Sequence, residues 1–484
     1  MSPDVTHMTA AGIARRIRDS DLSPVEVVDA TLEAIEERNE RTNAFVTVTD
    51  ERARKAAERA ERAVEAGERL GPLHGVPVAI KDLDDVAGVR TTSGSLLFED
   101  RVAEENSPFV DRLLDAGAIV VGKTNTPEFG LGCTTDNRVA GPTGTPFAVH
   151  RVSGGSSGGA GAALADGLVP LAQGSDTGGS IRTPASFCGV FGLKPTFGRV
   201  AKVDRGNAFG HHTPFSHLGP LARSVEDAAL MLDVTAGPHP LDPFSLAEPD
   251  VEYAAATRRP VDDLSIAYSP DLGIYPIEPA VRRVLDDAVL GFEAAGASVE
   301  RIDLDPDLDQ DDVLDAYYTF AVVSWESLFD RIAEDGPLDP RGADRDRLAE
   351  STVETVLEAE DVSTREYKAA DRTRTRVLEL VQNVLEGHDL LVTPTLAVPP
   401  FEIDDLPTEV DGQPIEPRRG WLLTQPFNMT GHPAASVPAG FTDGGLPVGM
   451  QVVGRRLADD DVLAASAAFE RVRPWRDRYP YRRS

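Results

Sequence analysis

Apolar and polar positions recur at helical spacing near the start of the chain. Met8 to Ser20 reads as one amphipathic helix and Ser23 to Asn39 as a second, with Val27, Val28, Leu32 and Ile35 on one face. The second opens on Ser23-Pro24-Val25-Glu26, a capping box with proline at the first helical position. Glu51 to Glu68 mixes charges along its length and predicts a solvated helix shielding one edge of the fold. Gly75 to Ile80 is a short apolar run that predicts a buried strand, with Lys81 at its end. Ala118 to Val121 predicts another strand, residues 224–236 a helix, and Val313 to Glu334 and Thr364 to Glu386 amphipathic helices. Near the end, Thr442-Asp443-Gly444-Gly445 predicts a turn between two apolar strands.

Ser153 to Val200 fits neither period. Two serine-glycine clusters, Ser153 to Gly159 and Gly174 to Ser180, flank an alanine-rich run and a short apolar run. Glycine has no Cβ, so backbone N–H groups can converge on one point. A hydroxyl just after such a run, as at Ser180, is placed to attack a carbonyl whose oxygen those N–H groups hold. A flexible linker would not alternate with Val169-Pro170-Leu171-Ala172 and Gly189-Val190-Phe191. Neither cluster carries the lysine of a phosphate-cradling loop or the Gly-x-Ser-x-Gly of a nucleophile elbow. Gly117 to Thr124 matches the phosphate-loop pattern in letters, but its loop positions are Ala-Ile-Val-Val, a β-branched run that makes a strand.

The order of these motifs resembles the amidase signature family: GGSSGGAGAALADG, GSDTGGSIRTPASFCGV and GLKPTFGRV follow one another. Upstream, Gly75-Val76-Pro77-Val78-Ala79-Ile80-Lys81-Asp82 and Thr124-Asn125-Thr126-Pro127-Glu128-Phe129-Gly130 extend the match, and WLLTQPFNMTGHPAASVPAG continues it from Trp421. The resemblance implies an α/β fold with a mixed β-sheet core covered by helices on both faces. It implies one domain over 1–484, with N-terminal helices 1–70, a signature core 71–237, a variable substrate-facing segment 238–417 and a return to the core at 418–470. It implies a catalytic triad of Ser180 as nucleophile, Ser156 on a cis peptide as proton relay, and Lys81 as base. Ser156 precedes Ser180 by the family's 24 residues. The implied oxyanion hole is the backbone N–H of Thr177, Gly178, Gly179 and Ser180, with Asp176 and Arg182 as supports of the loop. A base must be neutral at rest; a free lysine has a pKa of about 10.4, and a dry pocket lowers it by 3–5 units.

Charge changes the picture of where such a protein works. Acidic residues number 80 against 48 basic, a net charge of −32, and only six of the basic residues are lysines. Such a surface suits concentrated salt, where self-repulsion is screened, and predicts a halophilic protein. It excludes nucleic acid as a partner. Two cysteines, Cys133 and Cys188, give no disulfide framework and fit a reduced, cytoplasmic compartment. The polar start of the chain lacks a signal peptide's apolar core, and no apolar run reaches membrane length. His211, His212 and His217 lie close in sequence without a spaced carboxylate or cysteine, so neither metal nor cofactor is expected.

The expected partner is a small amide, with a homodimer as the compatible assembly. Within the family, the glutamine-hydrolysing subunit of a tRNA-dependent amidotransferase is the alternative to a free-standing amidase. That subunit reads glutamine's amino group with an aspartate just before its Leu-Thr-x-Pro-x-Asn element, where this chain has Trp421. Trp421 is therefore the expected substrate-binding wall, favouring an apolar or aromatic amide over glutamine. Tyr317, Tyr318, Phe320 and Trp325 are either the mouth of the pocket or plain core. A non-catalytic scaffold is disfavoured because all three triad positions are filled.

Overall fold

The computed structural model describes residues 5–204, 206–212, 215–325, 327–334 and 338–482. The N-terminal elements form by local rules. Thr9 caps the helix Ala10–Arg18 through its side chain, and Ser23 caps Pro24–Thr42 by accepting the N–H groups of Val25 and Glu26. Only the serine's half of the expected box forms, and the Ser23 hydroxyl is itself donated to Glu61 on the neighbouring helix. The mixed-charge helix runs Asp50–Glu65 and buries Ala53, Ala57 and Ala60, an alanine stripe at helical spacing. It packs on the helix Pro24–Thr42 and on a strand next to the sheet edge.

The core is an 11-stranded mixed sheet. In chain order its strands are β1 (Phe45–Val48), β2 (Pro77–Lys81), β3 (Ile119–Thr124), β4 (Leu171–Asp176), β5 (Phe191–Lys194) and β6 (His217–Ala222). They continue as β7 (Ser265–Tyr268), β8 (Ser298–Arg301), β9 (Leu390–Pro394), β10 (Ala434–Phe441) and β11 (Pro447–Gly454). Across the sheet they lie β1-β3-β2-β4-β6-β5-β10-β11-β9-β7-β8. Strands β3, β2 and β4 are parallel neighbours, as are β9, β7 and β8, and the remaining pairs are antiparallel. Every residue of β2, β3, β5, β6, β9 and β11 is buried. Successive side chains of a strand point to opposite faces, so both faces of the sheet are covered. The edge strands β1 and β8 are the exposed ones. Gly117-Ala118 leads into strand β3, as its β-branched run requires.

One apolar cluster runs from Val5 to Tyr479, with two smaller ones around Phe320 and Phe329. Segment 238–417 divides its labour in a way the sequence did not suggest. Its β7, β8 and β9 extend the common sheet, and among the described residues only the part around the helices Gln310–Trp325 and Leu328–Glu334 reaches the cavity lined by Ser156 and Ser180. The expected single helix Val313 to Glu334 is these two helices, Glu326 between them lying outside the described residues. Among the described residues no helix is long and apolar enough to cross a membrane.

Candidate active site

Parallel pairing of β2 with β4 brings the C-terminal ends of both strands to the same sheet edge. Lys81 ends β2, and β4 runs out into Thr177-Gly178-Gly179-Ser180 before the short helix Arg182–Phe187. Gln173 and Ser175, two apart on β4, share a face. Both engage Lys81: Gln173 Oε1 accepts its backbone N–H at 3.0 Å, and Ser175 Oγ accepts from Nζ at 3.0 Å. Nζ also donates to Ser156 Oγ at 2.7 Å. Lys81 has no solvent exposure. Burial pushes its ammonium down to about 7; Asp84 and Asp176 pull it up, and Lys202 lowers it further.

The first serine cluster meets the second here. The peptide Gly155–Ser156 is cis. A Cβ on Gly155 would lie 2.7 Å from the backbone of Thr134, so only glycine fits that crossing. Ser157 donates its N–H to the Ser180 carbonyl at 3.2 Å, and its hydroxyl lies 3.4 Å from the Ser175 backbone. Ser156 and Ser180 thereby line one cavity of about 220 Å³, together with Thr177, Gly178 and Gly179.

The loop before Ser180 is held by a fully buried ion pair. Asp176 Oδ1 and Oδ2 accept from Arg182 at 2.9 and 3.0 Å, and from the N–H groups of Gly179 and Ile181 at 2.8 and 3.2 Å. Arg182 also donates to the Thr424 carbonyl, Gln451 and Asn428. Burial alone would raise the Asp176 carboxyl. The Arg182 charge and hydrogen bonds, with Lys194 and Asn428, hold it well below the usual carboxylate range. The expected supporting role of Asp176 and Arg182 is thus visible as geometry.

The same bonds correct the oxyanion set. The Gly179 N–H is donated to Asp176, so it is not available to a substrate oxygen. The N–H groups of Thr177, Gly178 and Ser180 engage no acceptor among the described residues. Gly178 is also crowded: a Cβ there would lie 2.0 Å from the Tyr317 hydroxyl oxygen.

Trp421 requires a second correction. It has no solvent exposure and does not line the cavity. Its ring stacks on Phe187 at 5.6 Å and meets Phe401 edge-on at 5.2 Å, and its indole N–H donates to the Pro417 carbonyl at 3.0 Å. An indole with its face and its donor both satisfied belongs to the core. Arg419, two residues earlier, lines the cavity instead. Of the four candidate aromatics, Tyr317 and Trp325 line it, while Phe320 is core, edge-on to Tyr367 at 5.4 Å. Tyr318 lies beneath the Arg419 guanidinium, 4.4 Å from its ring centre.

Sequence reasoning gave no role to Ser175, Lys202, Ser216 or Arg419. Period-two alternation from Gln173 would have found Ser175. Lys202 donates to Ser216 Oγ at 2.8 Å, and Ser216 Oγ lies 2.9 Å from Thr177 Oγ1, contacts between loops that no local pattern announces. The histidines do separate work. His211 Nε2 lies 3.3 Å from Asp242, His212 hydrogen-bonds the Phe209 carbonyl, and His217 bridges the Asp176 carbonyl and Lys194.

Residues 26–463 match the amidase family pattern. The chain is 38% identical to an acylamidase of Rhodococcus erythropolis over 475 residues, covering 98% of this chain and 97% of that protein. It is 36% identical to a glutamyl-tRNA(Gln) amidotransferase subunit of Carboxydothermus hydrogenoformans over 488 residues, covering 96% of this chain and 97% of that one. The solved structure of a bacterial aryl acylamidase of the amidase signature family superposes with a TM-score of 0.93 at 36% identity, covering 98% of both chains. Motif order, sheet topology and full-length similarity agree: the chain belongs to the amidase signature family.

Proposed function

We propose that this chain is an amidase that hydrolyses a carboxylic acid amide to carboxylate and amine through an acyl-enzyme on Ser180. The observation that carries the reading is the buried 2.7 Å contact of Lys81 Nζ with Ser156 Oγ, with the lysine pushed to about 7, behind a cavity that Ser180 shares. An amide is a weak electrophile with a poor leaving group, so nucleophile, oxyanion and leaving nitrogen all need help. Neutral Lys81 accepts the Ser156 proton along that contact, and Ser156 takes the proton of Ser180 as Ser180 Oγ attacks the carbonyl carbon. The N–H groups of Thr177, Gly178 and Ser180 receive the oxyanion; one such donor contributes about 2.7–4 kcal/mol elsewhere. Collapse breaks the C–N bond while the proton returns from Lys81 through Ser156 to the leaving nitrogen. Water then attacks the ester carbon, its proton passing through Ser156 to Lys81. The bond from the acyl carbon to Ser180 Oγ breaks, the proton returns from Lys81 through Ser156 to that oxygen, and the acid leaves as its carboxylate.

The glutamine-hydrolysing amidotransferase reading is the second, favoured by the full-length similarity to such proteins. Against it, the carboxylate among the lining residues is Asp204, accompanied by the cations Lys202 and Arg331, a poor seat for an ammonium group. The apolar lining of Leu83, Phe129, Trp325 and Leu328 suits an acyl or aryl group. The test is release of aniline or ammonia from acyl anilides, aliphatic amides and L-glutamine, without a partner protein. Acyl anilide turnover is expected. Glutamine as the best substrate would restore the second reading, and no turnover of any amide would overturn the first.

We also propose that the protein works in the cytosol at high salt. Lys81, Lys123 and Lys194 have no exposure, leaving Lys55 and Lys368 as the well-exposed lysines on a chain of net charge −32. Lysine is thus kept where the fold uses it and is scarce at the surface.

A further inference from the structure

Arg419 occupies the wall that Trp421 was expected to form, and a guanidinium there reverses the chemistry expected of it. Its backbone N–H donates to the Glu416 carboxylate at 2.6 Å, which ties down the loop and engages that acid. Its guanidinium lies 4.4 Å over the Tyr318 ring, whose hydroxyl is donated to Glu358. Cys133 and Tyr317 are its other neighbours in the cavity. Among the described residues no carboxylate lies within ion-pair distance of the Arg419 guanidinium, and it donates to no backbone carbonyl. Other arginines such as Arg112, Arg151 and Arg374 fasten loops by bonding carbonyl oxygens; Arg419 does not.

Its position relative to the chemistry is fixed by Tyr317. The Tyr317 hydroxyl fills the space that a Cβ on Gly178 would take, so it touches the oxyanion loop, and Arg419 borders Tyr317 on the cavity wall. Tyr317 thus lies between the Arg419 wall and the oxyanion loop. The cavity lining carries three cations, Lys202, Arg331 and Arg419, and one carboxylate, Asp204, in a chain of net charge −32. Lys202 is offset by Asp204, Asp84 and Asp242, whereas among the described residues Arg419 has no such carboxylate and is a cation left to attract an anionic group.

We propose that Arg419 binds a carboxylate of the substrate, so that the amide taken by this enzyme carries an anionic group within a side chain's reach of the scissile bond. This rests on the amidase reading and adds the substrate class to it. A guanidinium offers two parallel donors in the plane of a carboxylate, and its stacking on Tyr318 presents that fork ready-made. The anionic group belongs either to the acyl half or to the amine half of the substrate, and the test has one arm for each.

The experiment measures kcat/KM for two matched pairs. On the amine side, 4-acetamidobenzoate is compared with acetanilide; on the acyl side, succinanilic acid is compared with butyranilide. The wild type is expected to favour the charged member of one pair by about tenfold to a hundredfold, the contribution of charged hydrogen bonds. Arg419→Met should bring that ratio toward one, and Arg419→Lys should keep part of it. Labelling of Ser180 by a fluorophosphonate reports that each variant is folded. Equal or better hydrolysis of the neutral member in both pairs overturns the proposal, as does an unchanged ratio in a labelled Arg419→Met. Failure of all four amides overturns the amidase reading itself and takes this proposal with it.

Discussion

The two parts of the cavity are built on different rules. Around Lys81, Ser156 and the loop Asp176 to Ser180, charged side chains are buried and bonded: Asp176 to backbone, Arg182 and Asn428; Arg182 to four partners; Lys81 to two hydroxyls. Around Tyr317, Trp325, Arg331 and Arg419 the residues come from helices and a surface loop, and among the described residues the two arginines have no carboxylate partner. The first part is organised before substrate arrives, as stabilising a developing oxyanion requires. In the second, Arg331 donates to Ser327 Oγ at 2.8 Å and Arg419 rests on the Tyr318 ring, so both charges are held in place without being neutralised. Reaction type should therefore depend on the first part and substrate choice on the second, and substitutions in each part can strain that division.

The largest effect belongs to Ser180→Ala. Acetanilide hydrolysis should fall by at least about 10⁴-fold, because the acyl group has no other bearer, and Ser156→Ala or Lys81→Met should fall nearly as far. Residues that act as a unit are non-additive, so the triple variant should be little worse than Ser180→Ala alone. A Ser180→Ala enzyme with wild-type kcat would dissolve the distinction between the two parts. The next effect is on stability. Arg182→Met leaves Asp176 buried without its counter-charge and should cost about 3–5 kcal/mol in urea unfolding. Trp421→Ala empties a space between Phe187 and Phe401 and should cost a similar 3–5 kcal/mol. Neither should alter the preference between charged and neutral amides. If Trp421→Ala changed that preference without loss of stability, the indole would be a substrate wall after all.

What was legible in the sequence follows the same division. The proposed triad positions and the loop with its Asp176–Arg182 pair lie in a dense local motif, where a Cβ at Gly155 would meet the Thr134 backbone and one at Gly178 the Tyr317 hydroxyl. Strand β3 was legible against its phosphate-loop lettering because β-branched residues cannot make the required turn. The wall was not legible. Whether Arg419 or Trp421 faces the cavity depends on the turn of one loop, which is decided by packing on Phe187 and Phe401, far away in sequence. The Gly179 N–H was misassigned for a related reason: the sequence places it beside Ser180, and only the fold turns it to Asp176. Segment 238–417 lacks family motifs, yet it supplies β7 and β9, buried strands that need apolar residues rather than particular ones, and β8, an exposed edge strand.

A smaller effect sharpens the account of the base. Lys81 must be neutral to accept a proton, and burial sets it at about 7. Below that pH the protonated fraction rises, so kcat/KM should fall about tenfold per pH unit below 7 and level off above it. The measurement is a pH profile on a neutral anilide, which carries no titrating group of its own. A profile that keeps climbing to pH 10 would mean that Lys81 retains an ordinary ammonium and that the first part of the cavity is less dry than its geometry implies.

The smallest expected effect is a shift that should not occur. A chain of net charge −32 surrounds Lys81 with a negative field, and such a field favours the ammonium form. If that field set the base, salt would screen it: the Debye length falls from about 10 Å at 0.1 M to about 3 Å at 1 M. The midpoint of the pH profile would then move down as KCl is added. Burial, however, is the largest cause acting on Lys81, and desolvation is not screened by ions in the solvent. The midpoint should therefore stay within about 0.3 units between 0.1 and 3 M KCl, well inside the 3–5 units that burial can contribute. The melting temperature of the same samples should rise with KCl, because the repulsion among exposed carboxylates is screened. Stability and chemistry would then respond to salt separately. A midpoint that tracks the melting temperature would place the base under control of the surface charge, and a melting temperature indifferent to salt would remove the halophilic reading while leaving the buried base untouched.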